Sequence, residues 1–308
     1  MYQLTDFSDP ALTLFARLNE TELLRLDEPR AGLFVAETLT VIERALSAGF
    51  TPVSLLLEKR LAAGQGAPLL QRFFKDYPDV PVHTADEALL SGITGYPLTR
   101  GALCAFRRKE LPPAESLLTN ARRVAVLCDV MNPTNLGAIV RSAAAFGVDA
   151  VLLTRGCTDP LYRRAIRVSV GTVFQVPWTF LGKNPAAGAA AHAVPVSGAA
   201  DAAAPADSVS AAAGAVRFLQ SRGFFCAAMA LTDNSVSVDD PALHSAEKCA
   251  LFLGSEGPGL PEDAVRACDL TVKLPMANGV DSLNVAAAAA VAFWELTRGS
   301  RAAAREEI

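Results

Sequence analysis

The sequence predicts an α/β protein: a larger C-terminal part with a mainly parallel sheet, preceded by a smaller α/β domain. Two observations carry the prediction. From Arg122 onward, short apolar runs of strand length alternate with segments of helical periodicity, the alternation that builds parallel sheets covered on both faces. At 308 residues the chain has the length of two ordinary domains, and its composition breaks at Leu111-Pro112-Pro113-Ala114-Glu115. Consecutive prolines resist both helix and sheet, so this segment reads as a connector. The boundary falls between Leu111 and Asn120, with one domain over residues 1–115 and another over 120–308.

In the first domain, Leu33-Phe34-Val35-Ala36 is an apolar run before a helix over Glu37 to Gly49. There Leu39, Ile42 and Leu46 share a stripe with Val41 and Ala45, and Gly49 stands where a C-terminal cap belongs. Pro52 to Leu57 has the length of a buried strand, Ser91 to Thr99 is turn-rich, and Gly101 to Phe106 is a further strand. In the second domain Val124 to Val130 is an apolar run, followed by a helix from about Asn135 to Phe146 closed by Gly147. Next come a strand at Ala150–Leu153, a helix at Pro160–Val168 and a strand at Thr172–Val176. A helix ending near Gly223 leads to strands at Phe224–Leu231 and Ala250–Leu253, then a short helix opening at Pro261. The strand Leu270–Leu274 runs into a last helix over Asn284–Thr297.

One stretch interrupts this order. Between Ala186 and Ala215, 16 of 30 residues are alanine. Pro195, Pro205 and the glycines break the helix that alanine favours, and large side chains are missing. The stretch, about 184–215, reads as a mobile surface insertion.

Composition excludes several classes. With 51% hydrophobic and 19% charged residues and a net charge of −4, the chain is not a disordered polyelectrolyte. No window approaches ~18 uninterrupted apolar residues, and the first residues lack the basic and apolar regions of a secretory signal. Six cysteines, none in a CxxC pair, read as reduced core thiols. A cytoplasmic protein without membrane attachment is expected.

Three segments stand at predicted strand ends, the edge of a parallel sheet where ligands collect. The first runs Asn132-Pro133-Thr134-Asn135-Leu136-Gly137-Ala138-Ile139-Val140-Arg141; Asn135 suits a helix cap, and Arg141 is a cation on an otherwise apolar helix. The second is Gly254-Ser255-Glu256-Gly257-Pro258-Gly259-Leu260, whose glycines permit close backbone approach. It fits neither the dinucleotide fingerprint nor a nucleophile elbow, which leaves an oxidoreductase reading without support. The third is Leu274-Pro275-Met276, then Asp281-Ser282-Leu283-Asn284-Val285-Ala286, where Ser282 and Asn284 are natural caps for an alanine-rich helix.

Together, and in this order, the three segments resemble the three motifs of the SpoU (TrmH) family of RNA ribose methyltransferases in the SPOUT class. The stretch DPLYRRAIRVSVG, Asp159 to Gly171, also resembles that family's sequence between its first two motifs. The resemblance implies a deep trefoil knot near the C-terminus and S-adenosylmethionine gripped by Leu231, Gly254, Gly257, Leu274, Met276 and Leu283. It implies a homodimer through the knotted domain, with the cleft at the interface. Residues 1–115 are more loosely similar to the family's L30e-like substrate-binding domain, through Phe34-Val35-Ala36-Glu37 and Gly101-Ala102-Leu103-Cys104-Ala105.

Carried over from the family, Asn135, Arg141, Glu256, Ser282 and Asn284 form the catalytic pocket, with the Arg141 guanidinium buried beside the donor. A guanidinium keeps its proton near neutral pH. Arg141 is therefore expected to hold the adjacent phosphate and the emerging alkoxide, while the proton leaves late through water or Glu256. No metal is required, because a sulfonium methyl is already electrophilic, and His83, His192 and His244 form no pattern that would supply a base. Arg155, Arg163, Arg164 and Arg167, with Arg107 and Arg108 beside Arg100 near the domain boundary, are expected RNA phosphate contacts. The expected activity is S-adenosylmethionine-dependent 2′-O-methylation of ribosomal RNA, with S-adenosylhomocysteine as product. Transfer RNA as substrate, or RNA binding without catalysis, are the alternatives.

Overall fold

The computed structural model describes residues 1–26, 32–94, 101–182 and 209–298. They fall into two compact units, the first built from Met1–Glu110 together with Leu161–Gln175.

The first unit contains β1 (Tyr2–Gln3), α1 (Glu20–Arg25), β2 (Leu33–Glu37), α2 (Leu39–Ser47), β3 (Pro52–Glu58), α3 (Lys59–Ala63), α4 (Ala67–Asp76), β4 (Val82–Ala85), α5 (Glu87–Thr94) and β5 (Ala102–Arg107). Its sheet has the order β1-β4-β3-β5-β2, with β5 antiparallel to both neighbours and the other pairs parallel. The apolar runs at β2 and β5 are buried on both faces, which is why they show no alternation. Leu33, Val35, Leu56, Leu103 and Ala105 pack with Leu12, Phe15 and Leu23. Elsewhere in the unit Phe34 stacks on Phe106 at 5.4 Å and meets Phe174 at 5.5 Å. The stripe on α2 buries Val41, Ile42, Ala45 and Leu46, and Gly49 takes φ 75° beyond its end. The turn-rich reading of Ser91–Thr99 is corrected as far as Thr94, because α5 runs through Ser91 and Gly92. Leu89, Leu90 and Ile93 reach the apolar core and override the local turn preference. Residues 95–99 and Arg100 lie outside the described residues.

The remaining elements are α6 (Ala114–Leu118), β6 (Arg123–Leu127), α7 (Pro133–Phe146), β7 (Ala150–Leu153), α8 (Arg163–Val168, within the segment of the first unit), β8 (Trp178–Phe180), α9 (Ala211–Gln220), β9 (Phe225–Met229), β10 (Val236–Ser237), α10 (Pro241–Ser245), β11 (Cys249–Leu253), α11 (Glu262–Ala267), β12 (Leu270–Lys273) and α12 (Val285–Leu296). The second unit's sheet has the order β10-β12-β9-β11-β6-β7-β8, and each neighbouring pair is parallel. Hence β12, β9, β11 and β6 lie side by side and release their chains at one edge. Leu274, Leu231, Gly254 and the segment leading to Asn132 all start there.

Three expectations change here. The strand at Thr172–Val176 is a 3-10 turn over Thr172–Phe174, and the strand comes later, at β8. Val170 and Gly171, at φ 54° and 76°, bend the chain before β-branched propensity can extend it. The connector at Leu111–Glu115 gives way to α6 directly after Pro113, where proline's missing N–H costs nothing. Of the alanine-rich stretch, residues 183–208 lie outside the described residues. Its last part is core rather than surface: Ser210 caps α9, and Ala212, Ala213 and Ala215 are buried beside Ala264 of α11. Small side chains there let two helices approach closely. Among the described residues no helix is long and apolar enough to cross a membrane.

Candidate active site

At the first motif, Asn132 rather than Asn135 caps α7: its Oδ1 accepts the N–H of Thr134 at 2.8 Å, and Pro133 opens the helix. At the far end Gly147 turns the chain at φ 74°. Asn135 therefore stands inside the first turn, only 7% exposed, with its side chain free of capping duty.

That side chain meets the third motif. Asn284 caps α12 through its Oδ1, which accepts the N–H of Ala286 at 2.9 Å. Its Nδ2 donates to Asn135 Oδ1 at 3.1 Å and to Glu256 Oε1 at 2.6 Å. The amide is thereby oriented without ambiguity: flipped, its oxygen would face a carboxylate and its NH2 would face an N–H. With Oδ1 of Asn135 accepting, the NH2 of Asn135 is left to donate elsewhere. One residue from each of the three motifs thus enters a single hydrogen-bonded chain.

The glycine loop supplies the wall. A Cβ on Gly254 would collide with the backbone of Gly259 and Leu260, so glycine is the residue that fits. Gly257 and Gly259 take φ 92° and 71°, and the Gly259 N–H closes back on the Ser255 carbonyl at 3.2 Å. Beside it lies a cleft of about 980 Å³, in the volume range of small-molecule sites. Leu231, Gly254, Gly257, Leu274, Met276 and Leu283 line it, as do Glu256, Ser282 and Asn284. Ser282 lines the cleft but caps no helix, that task falling to Asn284. Lys273, Glu262, Arg266 and Asp281 add charge to the walls. Sequence reading missed Lys273, Glu262 and Arg266; Lys273 closes β12 and so stood at a legible strand end, whereas Glu262 and Arg266 lie on α11 and carried no such signal.

Other expected residues stand apart. Arg141 is exposed on α7 and is not among the cleft's lining residues, which corrects the expectation of a buried guanidinium. Six residues after Asn135, it points to a different side of the helix. Arg155 belongs to the second unit, where its guanidinium lies 5.5 Å from the Phe180 ring and donates to the Gly182 carbonyl. Arg107, Arg108, Arg163, Arg164 and Arg167 belong to the first. Within that unit Arg163 donates to the carbonyls of Leu14 and Phe15 at 3.3 and 2.8 Å, Arg167 lies 3.8 Å from buried Glu37, and Arg108 donates to the Leu33 carbonyl at 3.1 Å. His83 is buried on β4, and desolvation holds its pKa below the ordinary value. His192 lies outside the described residues. Among the described residues no cluster of His, Cys, Asp and Glu is arranged to hold a metal ion.

Comparison with known proteins places this geometry in context. The model of the SpoU rRNA Methylase family matches residues 122–194 and 181–294. An uncharacterized tRNA/rRNA methyltransferase of Mycobacterium bovis is 38% identical over 302 residues, covering 95% of this chain and 90% of the relative. The 23S rRNA (guanosine(2553)-2′-O)-methyltransferase RlmP of Bacillus subtilis is 29% identical over 217 residues, 68% of this chain and 74% of RlmP. In fold, the chain is similar to an AdoMet-bound rRNA methyltransferase from Sinorhizobium meliloti, with a TM-score of 0.71, 22% identity, and coverage of 96% and 97% of the two chains.

Proposed function

The chain belongs to the SpoU rRNA Methylase family of RNA methyltransferases, and from that membership we propose that it transfers the methyl group of S-adenosylmethionine to a ribose 2′-hydroxyl of ribosomal RNA. The observation that carries this reading is the chain Asn135–Asn284–Glu256 at the mouth of the glycine-walled cleft. RlmP, named for 2′-O-methylation of 23S rRNA, supports the choice of atom and RNA. The AdoMet-bound neighbour supports the donor.

The cleft fits S-adenosylmethionine: apolar walls at Leu231, Leu274, Met276 and Leu283, backbone groups along Gly254–Leu260, and room for a small molecule. When bound there, the donor supplies an electrophilic sulfonium methyl. Asn284 holds Glu256 and Asn135 in register, and the free NH2 of Asn135 orients the ribose. Glu256, an exposed carboxylate at the cleft wall, receives the departing proton directly or through water. Arg141 stabilises the alkoxide and the neighbouring phosphate without losing its own proton.

In this reading Arg141 reaches the cleft of a second copy. Trp294 and Val291 on α12 are 49% and 46% exposed. Trp294 meets Phe146 of α7 edge-on at 5.6 Å, so an apolar stripe lies on the helix pair that carries Arg141 and Asn284. The trefoil knot, the homodimer and the cytoplasmic setting belong to the same proposal. So do a substrate-binding domain over residues 1–115, L30e-like in kind, and a methyltransferase domain over 120–308, of which Leu161–Gln175 belongs to the first compact unit. Arg155 of the second unit and Arg164, Arg167, Arg107 and Arg108 of the first are the proposed RNA contacts.

The test is mapping of 2′-O-methyl positions in ribosomal and transfer RNA with and without the protein, paired with methyl transfer from labelled S-adenosylmethionine by the purified chain. A protein-dependent 2′-O-methyl in ribosomal RNA is expected. Methylation confined to transfer RNA replaces the substrate, and RNA binding without transfer overturns the catalytic reading. Arg141→Ala is expected to abolish single-turnover transfer; an unchanged rate removes Arg141 from the chemistry.

A further inference from the structure

Asp129 sits just beyond β6 with its backbone in the left-handed region, φ 55°. Few L-residues take that conformation readily, Asp and Asn among them, and here a specific partner holds it. Thr154, the first residue after β7, is 2% exposed. Its hydroxyl accepts the Asp129 N–H at 2.9 Å and donates to Asp129 Oδ1 at 2.7 Å, so its hydrogen and a lone pair are both engaged on one residue. Gly156 lies so close that a Cβ there would strike the Asp129 carboxylate.

The fastening continues along the chain. The Val130 N–H donates to Cys157 Sγ at 3.3 Å, the Cys157 thiol donates to the Leu127 carbonyl at 3.2 Å, and the Thr158 N–H donates to the Val130 carbonyl at 3.0 Å. From Leu127 to Val130 the strand is thus sewn to the loop 154–158. Two residues later Asn132 caps α7, and the first turn of that helix presents Asn135 to Asn284. At 3.1 Å that hydrogen bond has little slack; a displacement of ~1 Å breaks it.

We infer that Asp129 and Thr154 are positioning residues for methyl transfer, their paired hydrogen bonds fixing where α7 begins and therefore where Asn135 meets Asn284. The inference rests on the function proposed above. It separates from a general structural role because the donor cleft takes none of its lining from residues 128–158. Loss of the pair should leave donor binding intact while slowing transfer.

The experiment uses the full chain, S-adenosylhomocysteine calorimetry for the donor cleft, and single-turnover transfer from labelled S-adenosylmethionine to ribosomal RNA. Thr154→Val is expected to slow transfer ~10- to 100-fold, the range for sub-ångström to ångström misplacement, with donor affinity unchanged. Thr154→Ser restores the hydroxyl and should restore the rate. Asp129→Gly accepts the left-handed backbone without strain, so it folds even if Thr154→Val does not, and it should show the same slow transfer. Asp129→Asn, which can still accept the Thr154 hydroxyl, should transfer near the wild-type rate. A wild-type chain that transfers no methyl overturns the proposed function itself. An active wild type with Thr154→Val or Asp129→Gly equally fast overturns the positioning inference. So does a parallel fall of donor affinity and rate that serine fails to rescue.

Discussion

Asn284 donates a 2.6 Å hydrogen bond to Glu256 with the same amide group whose oxygen caps α12. The two duties can be separated. Asn284→Asp keeps a good cap but sets a carboxylate against Glu256, and like charges at hydrogen-bond distance repel. This variant should unfold near the wild-type temperature while methyl transfer falls by ~10-fold or more. Asn284→Ala should lose transfer and also about 1 kcal/mol of stability. Thermal denaturation with single-turnover transfer distinguishes the two.

Gly254 and Gly147 offer a matched pair of glycine substitutions. A Cβ at 254 meets the backbone of Gly259 and Leu260, whereas one at 147 meets nothing within 4 Å, although φ there is 74°. Gly147→Ala should cost about 1–2 kcal/mol through backbone strain alone and leave donor affinity unchanged. Gly254→Ala should deform the loop and abolish S-adenosylhomocysteine binding by calorimetry.

The fold was largely legible because buried parallel strands announce themselves as unbroken apolar runs. The apolar run Ala150–Leu153 coincides with β7, and the runs at Val124–Val130 and Ala250–Leu253 coincide with β6 and β11 to within a few residues at their ends. The site was legible in composition rather than in geometry. Asn132 and Asn135 both precede helical residues, and Pro133 was the cue that the cap lies at Asn132, since proline favours the first helical position. Arg141 carries no local signal of which way it faces. Thr172–Val176 looked like a strand from its β-branched residues, but the left-handed turn at Val170 and Gly171 is a backbone fact that composition does not display. Helix α4 does not stand out because Arg72, Lys75 and Asp76 interleave its apolar residues, and β4 because it has only four residues, two of them His83 and Thr84.

The buried thiols predict a pH response. Burial pushes Cys157 up to about 11 and Cys249 and Cys268 up to about 12, from an ordinary 9.0, and raises Cys104, Cys128 and Cys226 as well. An unfolded chain releases these protons near pH 9, whereas the folded chain retains them. The stability they contribute is therefore complete below about pH 9 and is lost as pH rises through the folded values. Native protein at pH 10 should show little thiolate absorbance and slow alkylation, and unfolding in urea should bring strong thiolate absorbance and fast alkylation.

Ser210 and Asp263 join the start of α9 to α11. The Asp263 carboxylate accepts the Ser210 N–H at 2.7 Å and its hydroxyl at 2.8 Å, and the same hydroxyl caps the helix at the Ala213 N–H. Desolvation is the largest single influence and raises the Asp263 pKa, but the hydrogen bonds from Ser210 and the Ala264 N–H, with the charge of Arg266, together outweigh it and the net shift is downward. This contribution is therefore present above the ordinary carboxylate value and lost in acid. Ser210→Ala should cost about 1–2 kcal/mol, read as a lower urea midpoint at pH 7; the gap narrows as pH falls below 3.8 but does not close, because the cap at the Ala213 N–H does not titrate.

Arg163 is a case where charge alone misleads. Its guanidinium donates to the carbonyls of Leu14 and Phe15, and the backbone N–H of Arg163 donates to Glu20 Oε1 at 2.8 Å. Removing the side chain leaves those carbonyls without this donor, which costs about 1–2 kcal/mol. A lost phosphate contact, by contrast, lowers the slope of log affinity against log salt by about one. Arg163→Ala is expected to lower the unfolding temperature and leave the salt slope of ribosomal RNA binding unchanged. A normal unfolding temperature with a shallower slope would instead place Arg163 on the RNA.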